Sequence, residues 1–346
     1  IALILVITIL ISLYFYGLTP VSNKDKTVEF TVKTGENKIK IVDKLYDAGL
    51  IKSKVSLYIY VGLNRDLNLQ AGDYHLSPNM SAKDIIKKLH EGKIIEIVNT
   101  YKLTFVEGKR IVDYAKIIAK STNTTDEEVI NTLNDKTYLK ELINKYWFLT
   151  DDILDSGIYY PLEGYLFPST YELYNGSGIK DIVAKMLDGM KEKLESLKTS
   201  IEESKYSVHE LLTLASIVES EGANSDDRKG VAGVFYNRLN RGEALGSDVT
   251  AYYAAKKDFS SDLWQYEIDA CSPYNTRGKC AVKGIPVGPI SSPSYESIKA
   301  AISPSVHDYL FFVADKNKKT YFTKTNSEHE AKIRELRAAG LWYTYN

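Results

Sequence analysis

An apolar run that ends in two carboxylates constrains the fold of this chain more than any other feature. Residues 211–221 read LLTLASIVESE, and Glu219 and Glu221 lie at the end of the run. A helix with this surface has to pack against other apolar surface, and a carboxyl group held there has its ionised form disfavoured. Its pKa rises, as a general acid that works near neutral pH requires. The run therefore predicts a buried helix that carries a candidate acid.

The spacing of the two glutamates separates their directions. Residues two positions apart lie about 200° apart around a helix, so only one of Glu219 and Glu221 points into a given cleft. A glycosidase that uses this pair on one bond is therefore not expected. Taken alone, the run is equally compatible with two solvated glutamates at a helix C-terminus.

The N-terminal stretch is apolar throughout. Residues 1–17, IALILVITILISLYFYG, contain no charged residue, and Tyr14 and Tyr16 lie where an interfacial aromatic belt would lie. The stretch predicts a transmembrane anchor over 1–19, followed by a linker over 20–26. A cleaved signal peptide is the alternative, but no small-residue cleavage site follows. We therefore expect a single-pass protein of the cell membrane, with its catalytic domain on the extracytoplasmic side and an extracellular polymer as its substrate.

Composition and cysteine usage exclude several classes of function. The chain has 346 residues, enough for two domains, and its net charge of -1 argues against a general nucleic-acid binder. Twenty-six tyrosines against ten phenylalanines suit sugar binding, and suit a plain β-rich surface equally well. The two cysteines, Cys271 and Cys280, are too few for a zinc site, so no metal is expected. They form either a disulfide or two free thiols.

Hydrophobic periodicity predicts an α+β protein. The first module, 27–97, has a strand at 28–32, two helices, a return strand at 72–76 and a helix at 82–90. This order is similar to that of a LysM-like sugar-binding module. A larger α+β domain follows over 98–346, with helices predicted at 111–121, 179–197, 208–221, 231–239 and 327–339 and a strand at 309–314. Between 240 and 308 the pattern predicts mainly loops, and the aromatic stretch 161–172 around Glu163 predicts the wall of a cleft.

Five ordered blocks carry a resemblance to a known family. They are LEGYLFP at 162–168, ASIVESE at 215–221, VFYNRL at 234–239, SPYNT at 272–276 and GIPVGPI at 284–290. The chain resembles the MltG-type, or YceG-like, endolytic murein transglycosylases almost end to end. The resemblance implies that 98–346 is a YceG-like catalytic domain.

The resemblance also implies a reaction. Such enzymes cleave the β-1,4 bond between N-acetylmuramic acid and N-acetylglucosamine in peptidoglycan, with the C6 hydroxyl of the muramic acid as nucleophile in place of water. One glutamate is enough, because the same carboxyl group acts first as acid and then as base. It is aligned with Glu221, and Glu219 is the second candidate. No cofactor is implied. A non-catalytic glycan-binding scaffold and a water-using hydrolase with Glu163 or an aspartate as second carboxylate are the alternatives.

Several further residues are candidates for substrate binding. Arg238 is expected either to pair with a substrate carboxylate or to bridge to Asp226 or Asp227. Glu163 is expected either to bind the glycan or to be buried at a turn. The others lie in the family blocks or on predicted loops, and are Tyr165, Asn237, Asp248, Thr250, Tyr274, Asn275 and Thr276. The expected partners are peptidoglycan strands and the penicillin-binding synthases that extend them, with the predicted anchor holding the enzyme near their site of synthesis.

Overall fold

The computed structural model describes residues 2–22, 26–92, 100–222, 224, 227–259 and 261–342. The chain forms two compact units, Ile1–Asn99 and Thr100–Asn346. Helices and antiparallel strand pairs occur in both, so the α+β class is correct. The predicted boundary between residues 97 and 98 lies outside the described residues, as does part of the predicted linker.

The predicted transmembrane anchor is wrong. Helix α1 (Ala2–Gly17) has 16 residues. At 1.5 Å per residue such a helix is about 24 Å long, whereas the hydrocarbon core of a bilayer is about 30 Å thick. In the part of the chain that the structure describes, no helix has both the length and the apolar character needed to cross a membrane. The predicted single-pass location in the cell membrane is overturned by the same finding.

The first unit is built on one pair of antiparallel strands. Strand β1 (Val28–Val32) pairs with β2 (Gly72–Leu76), so that Val28 lies opposite Leu76. Helices α2 (Lys38–Asp47) and α3 (Lys54–Leu63) lie between them in sequence, and α4 (Ala82–Glu91) follows. Each of the three helices begins after a polar residue whose side chain accepts a backbone hydrogen bond from the first turn, as strong N-caps do. The LysM-like assignment of this module stays a prediction.

The second unit is mostly helical. Its strands pair as two antiparallel ribbons. Strand β3 (Thr100–Thr104) pairs with β4 (Thr170–Tyr174), and β5 (Phe311–Ala314) pairs with β6 (Thr320–Thr323). In chain order its elements are β3 (Thr100–Thr104), α5 (Ile111–Thr122), α6 (Asp126–Leu133), α7 (Lys136–Lys145), a 3-10 helix (Asp151–Leu154), β4 (Thr170–Tyr174), α8 (Ile179–Glu195), α9 (Lys198–Glu202), α10 (Val208–Ser220), α11 (Arg228–Asn240), α12 (Asp248–Ala254), α13 (Gln265–Ile268), α14 (Tyr295–Ile302), β5 (Phe311–Ala314), β6 (Thr320–Thr323) and α15 (Asn326–Ala338).

Helix α10 lies at the centre of this unit. Every residue from Val208 to Val218 except Glu210 is buried, because α11, α12 and α14 all pack against it. Its first turn is fixed by a capping box in which Ser207 and Glu210 satisfy each other's backbone N–H groups. Its last turn ends at Ser220, with Glu221 as the C-cap residue. The apolar run therefore positions the two glutamates at the end of a helix that is covered on several sides.

Within the aromatic stretch at 161–172, residues 161–168 form a largely buried turn, and β4 begins at Thr170. Leu162, Tyr165 and Leu166 are buried in the main core, and Glu163 is only 1% exposed. Gly164 has φ +78°, and a Cβ atom at this position would overlap Cβ of Pro289. Pro and Gly at these positions therefore reflect close packing of the turn against the loop that contains Pro289, and not the surface of a cleft.

We expect Gly164→Ala to destabilise the protein more than Gly176→Ala. Both glycines have positive φ, but the Gly176 site is open, with nothing within 4 Å of the position that a Cβ atom would take. Gly176→Ala should cost about 1 kcal/mol of free energy of unfolding for its backbone conformation alone. Gly164→Ala should cost about 2–4 kcal/mol, because overpacking adds to the same backbone penalty. Urea unfolding followed by circular dichroism measures both losses, and equal losses would contradict the packing role of Gly164.

Candidate active site

Glu221 opens into a polar cavity of about 400 Å³. The cavity is enclosed by the end of α10, by α11, by the start of α12, by β5, by α15 and by the loop that carries Arg277. Its charged and titratable lining consists of Glu221, Arg238, Asp248, Arg277, His329 and Glu330. Phe311 and Trp342 contribute aromatic rings. Glu221 thus lies where acidic, basic and aromatic groups from distant parts of the chain meet.

The surroundings of Glu221 raise the pKa of its carboxyl group toward neutral pH. Burial is the main cause and raises the pKa of Glu221 to about 7. The negative charge of Asp248 acts in the same direction, whereas Arg277 and Arg238 act against it. Ser247 also lowers the pKa, because its Oγ donates a hydrogen bond to Oε1 of Glu221 at 2.5 Å. Burial prevails, so the group can act as an acid.

Glu219 has a different environment, as its spacing from Glu221 predicts. Its Oε1 lies 3.2 Å from Nη2 of Arg228 in a largely buried ion pair. Its Oε2 accepts hydrogen bonds from the backbone N–H of Ser294 at 3.0 Å, from Oγ of Ser297 at 2.7 Å and from Oγ of Ser294. Since Ser294 is the N-cap residue of α14, Glu219 ties the end of α10 to the start of α14.

Three buried hydroxyl residues lie behind Glu221. Ser247, Thr250 and Thr276 are 3%, 0% and 1% exposed. Thr250 and Thr276 are predicted substrate-binding residues, but the hydroxyl groups of both are engaged with each other at 2.8 Å and with the backbone of Ser247. These two threonines support Ser247, and neither of them lines the cavity.

Arg238 reaches the cavity along a constrained path. Its Nε donates to the carbonyl of Leu310 at 2.7 Å and its Nη1 donates to the carbonyl of Leu245 at 2.8 Å. The guanidinium group lies 4.9 Å from the ring centre of Phe311. At Gly246, with φ +66°, a Cβ atom would overlap Nη1 of Arg238. Glycine at 246 therefore leaves room for the guanidinium group.

The two aspartates proposed as partners of Arg238 do not explain its position. Asp226 lies outside the described residues, and Asp227 accepts a hydrogen bond from the backbone N–H of Thr320 at 3.3 Å. Asn237, the neighbour of Arg238, donates to the carbonyls of His307 and Tyr309 at 2.8 and 2.9 Å. Asn237 therefore holds the chain that enters β5, next to the cavity wall.

A closed loop supplies Arg277 to the cavity. Cys271 and Cys280 form a disulfide, so the disulfide alternative is the one that the structure adopts. Within the loop, the side-chain amide of Asn275 donates to two backbone carbonyls and its Oδ1 accepts from the N–H of Arg277 at 2.9 Å. Nε of Arg277 lies 2.7 Å from Oδ1 of Asp248, which pairs the loop with the start of α12.

Three further predicted site residues, Glu163, Tyr165 and Tyr274, also lie apart from the cavity lining. Glu163 accepts hydrogen bonds from the backbone N–H of Ile111 at 3.0 Å and from the hydroxyl of Tyr253 at 3.2 Å, and burial raises its pKa to about 8. The hydroxyl of Tyr165 is 2.7 Å from Nδ1 of His209. Tyr274 is fully buried and its hydroxyl accepts from the N–H of Tyr159. These side chains connect core elements of the second unit.

The sequence interpretation missed several lining residues. Ser247 and Arg277 directly adjoin predicted candidates, but in a predicted loop a serine is usually read as a turn former and an arginine as a solvated charge. Phe311, His329 and Trp342 are brought in only by the packing of β5 and α15. Among the described residues, no group of three or more His, Cys, Asp or Glu side chains could hold a metal ion.

The arrangement therefore offers one carboxyl group that can give up a proton near pH 7 and take it back. Guanidinium groups on two elements offer charge complementarity to anionic or strongly polar groups of a ligand. Within the described ranges, the other two carboxylates that line the cavity, Asp248 and Glu330, are both exposed, and Asp248 is paired with Arg277. This geometry suits chemistry with a single residue that acts as acid and base.

Comparisons with known proteins identify the family. The model of the YceG-like family matches residues 30–335. An endolytic murein transglycosylase of Bacillus subtilis is 35% identical over 322 residues, covering 91% of this chain and 88% of the relative. One from Streptococcus pneumoniae is 33% identical over 337 residues, covering 92% of this chain and 60% of that longer relative.

A solved structure agrees with the sequence comparisons. The 2.6 Å crystal structure of a yceG-like protein from Listeria monocytogenes matches with a TM-score of 0.63 and 33% identity, covering 89% of this chain and all of that one. Because the family model spans most of the sequence and the relatives share a third of their residues over nine tenths of it, this chain belongs to the YceG-like family.

Proposed function

We propose that this protein is an endolytic murein transglycosylase that cleaves the MurNAc–GlcNAc β-1,4 bond and leaves 1,6-anhydro-MurNAc ends. The curated relatives carry that enzyme name, and lytic transglycosylase is the class of their activity. The observation that carries the proposal is Glu221, a carboxyl group with its pKa raised to about 7 at the wall of a polar cavity. Peptidoglycan is accordingly its substrate.

In the first step Glu221 acts as general acid. Its carboxyl proton passes to the glycosidic oxygen, the bond from that oxygen to C1 of the muramic residue breaks, and the GlcNAc hydroxyl leaves. Positive charge develops on C1 and the ring oxygen, and the carboxylate just formed stabilises it. A group with an ordinary pKa would be ionised at neutral pH and could not provide this proton.

In the second step the same residue acts as general base. The Glu221 carboxylate takes the proton of the C6 hydroxyl, and O6 forms a bond to C1 on the β face that the leaving group has vacated, because C6 lies on that face of the ring. The anhydro ring closes, Glu221 is protonated again, and no water is consumed. One residue is enough because the first step leaves the carboxylate that the second step needs as base, and the second step returns the proton that the first step needs as acid.

Arg238 and Asp248 are the predicted binding residues that line the cavity, and we propose that they contact polar groups of the glycan. The guanidinium group of Arg238 is held by two backbone carbonyls, so its position is set before substrate arrives. The aromatic ring of Phe311 packs against this guanidinium group and against the ring of His329, so it supports the wall of the cavity. Asn237, Thr250, Asn275 and Thr276 instead support residues of this wall.

We expect Glu221→Gln to abolish cleavage and Glu219→Gln to preserve it. Glutamine cannot donate the required proton from position 221, so product formation should fall at least about 1000-fold. Glu219→Gln breaks the ion pair with Arg228, so it should lower the free energy of unfolding by about 2–4 kcal/mol but keep activity within about tenfold at low temperature. Mass spectrometry of digested glycan strands and thermal unfolding measure the two effects.

The same digestion in H₂¹⁸O separates this reaction from hydrolysis. The proposed reaction gives anhydro ends without ¹⁸O, whereas a hydrolase gives reducing ends that carry the label. A hydrolase would need a second carboxylate, and Glu163 is buried and bound to the start of α5. An unchanged yield of anhydro ends with Glu221→Gln would reject Glu221 as the acid, and the absence of any cleavage by the folded wild-type protein would favour a binding scaffold.

The activity should fall as pH rises through about 7. The acid must be protonated in the free enzyme, and burial raises the pKa of Glu221 to about 7, so the active fraction is high below that pH and lost above it. The initial rate at low substrate concentration, measured from pH 5 to 9 on protein shown to be folded by circular dichroism, tests this. A decline already centred near pH 4.5, the ordinary glutamate range, would show that burial does not set the working pKa.

Cleavage inside a growing strand would also end its elongation, so we propose that the enzyme acts on strands as penicillin-binding synthases extend them. A reconstituted mixture of such a synthase, its lipid-linked substrate and this protein should give shorter strands with anhydro ends than the synthase alone. Glu221→Gln should leave the length distribution unchanged. Shortening only of strands supplied after polymerisation has stopped would contradict coupling to elongation.

A further inference from the structure

Ser247 occupies a capping position without capping its helix. It is the N-cap residue of α12, yet its side chain accepts no hydrogen bond from the first turn of that helix. A serine at this position normally accepts from the second or third backbone N–H, and this contributes about 1 kcal/mol. Here the hydroxyl instead donates to Oε1 of Glu221 at 2.5 Å. Helix α12 therefore lacks a side-chain cap, and the carboxyl group of Glu221 gains a hydrogen-bond donor.

The backbone of Ser247 is fixed from both sides. Its N–H donates to Oγ1 of Thr276 at 3.1 Å, and its carbonyl accepts from Oγ1 of Thr250 at 2.7 Å. Thr250 in turn accepts from the backbone N–H of Thr276 at 3.0 Å. Since the hydroxyl proton of Thr250 goes to Ser247, the proton shared between the two threonines comes from Thr276, at 2.8 Å. Oγ1 of Thr276 also lies 3.5 Å from the carbonyl of Ser247, so both threonines hold the backbone of this residue.

We propose that Ser247 is a positioning residue that holds Oε1 of Glu221, so that Oε2 carries the acid proton toward the substrate. This inference rests on the proposed function and assigns the reacting oxygen within it. The leaving-group oxygen receives its proton from Oε2, and the C6 hydroxyl returns a proton to Oε2. Ser247 keeps its own proton in both steps, because it remains the donor to Oε1.

The hydroxyl of Ser247 also balances the burial of Glu221. A donor to the carboxylate favours the ionised form, which the second step needs, while burial favours the protonated form, which the first step needs. The other charged or titratable groups that face Glu221 come from four elements: Asp248 of α12, Arg238 of α11, Arg277 of the disulfide loop, and His329 and Glu330 of α15. They remain in place when only the hydroxyl of Ser247 is removed.

Ser247→Ala provides the test. We expect kcat to fall about 10- to 100-fold with KM changed less than about threefold, since a charge-assisted hydrogen bond is lost from the carboxylate and not from the substrate. The pH above which activity declines should move up by about one unit, because a donor that lowers the pKa of Glu221 is gone. Ser220→Ala is the matched control: Ser220 adjoins Glu221 in sequence, but its hydroxyl bonds to Ser216 and Ser291. It should leave the pH profile unchanged.

Thr250→Val keeps the shape of the threonine but removes the donor to Ser247, and should shift the pH profile in the same direction by a smaller amount. It also serves as the test if Ser247→Ala does not fold. A folded Ser247→Ala protein with wild-type kcat and pH profile would overturn the inference, as would an equal shift in Ser220→Ala. Failure of the proposed function is distinguishable, since it would appear in the wild-type protein as the absence of anhydro products.

Discussion

The burial of one carboxyl group at the end of α10 is the constraint on which the site depends. Glu221 lies at the end of a helix that is covered on several sides. Its carboxyl group is therefore buried, and burial raises its pKa. Burying a carboxylate without a partner is unfavourable. Here one short hydrogen bond from Ser247 and the guanidinium groups of Arg238 and Arg277 in the cavity lining partly offset that cost. The compensation is incomplete, so the proton stays near neutral pH. If Glu221 had an ion pair and several hydrogen-bond donors, as Glu219 has, its ionised form would be favoured and it could not act as the general acid.

Glu219 and Glu221 show how two residues of one helix acquire different roles. Glu219 has a positive partner and three donors from the start of α14, so it joins two helices. Glu221 has one donor and an open side. Residue type and helix position hardly distinguish them in the sequence. Their partners come from segments about ten to eighty residues away, and only the packing of those segments decides which glutamate faces the cavity.

Local patterns predict much of the fold. The strand pair of the first unit and the helices at 82–90, 111–121 and 208–221 agree with the structure within about two residues, because their periodicity and capping residues are strong. The pattern over 240–308 predicts mainly loops, yet this region contains α12, α13 and α14. These helices have four to eight residues, too few for a periodic pattern to stand out, and tertiary contacts stabilise them. The apolar character of 1–17 does indicate a helix, but the helix it forms is too short for the predicted span.

The disulfide between Cys271 and Cys280 has a consequence for how tightly the site can hold a ligand. It closes a loop that contains Asn275, Thr276 and Arg277, which support Ser247 or line the cavity. An open loop of this length would lose conformational entropy each time a ligand ordered it, and that loss would weaken binding. Cross-linking removes much of the loop's freedom when the protein folds. The loop that carries Arg277 therefore loses its conformational entropy when the protein folds. Less entropy is lost when a ligand binds, so the contacts with the ligand contribute more to affinity.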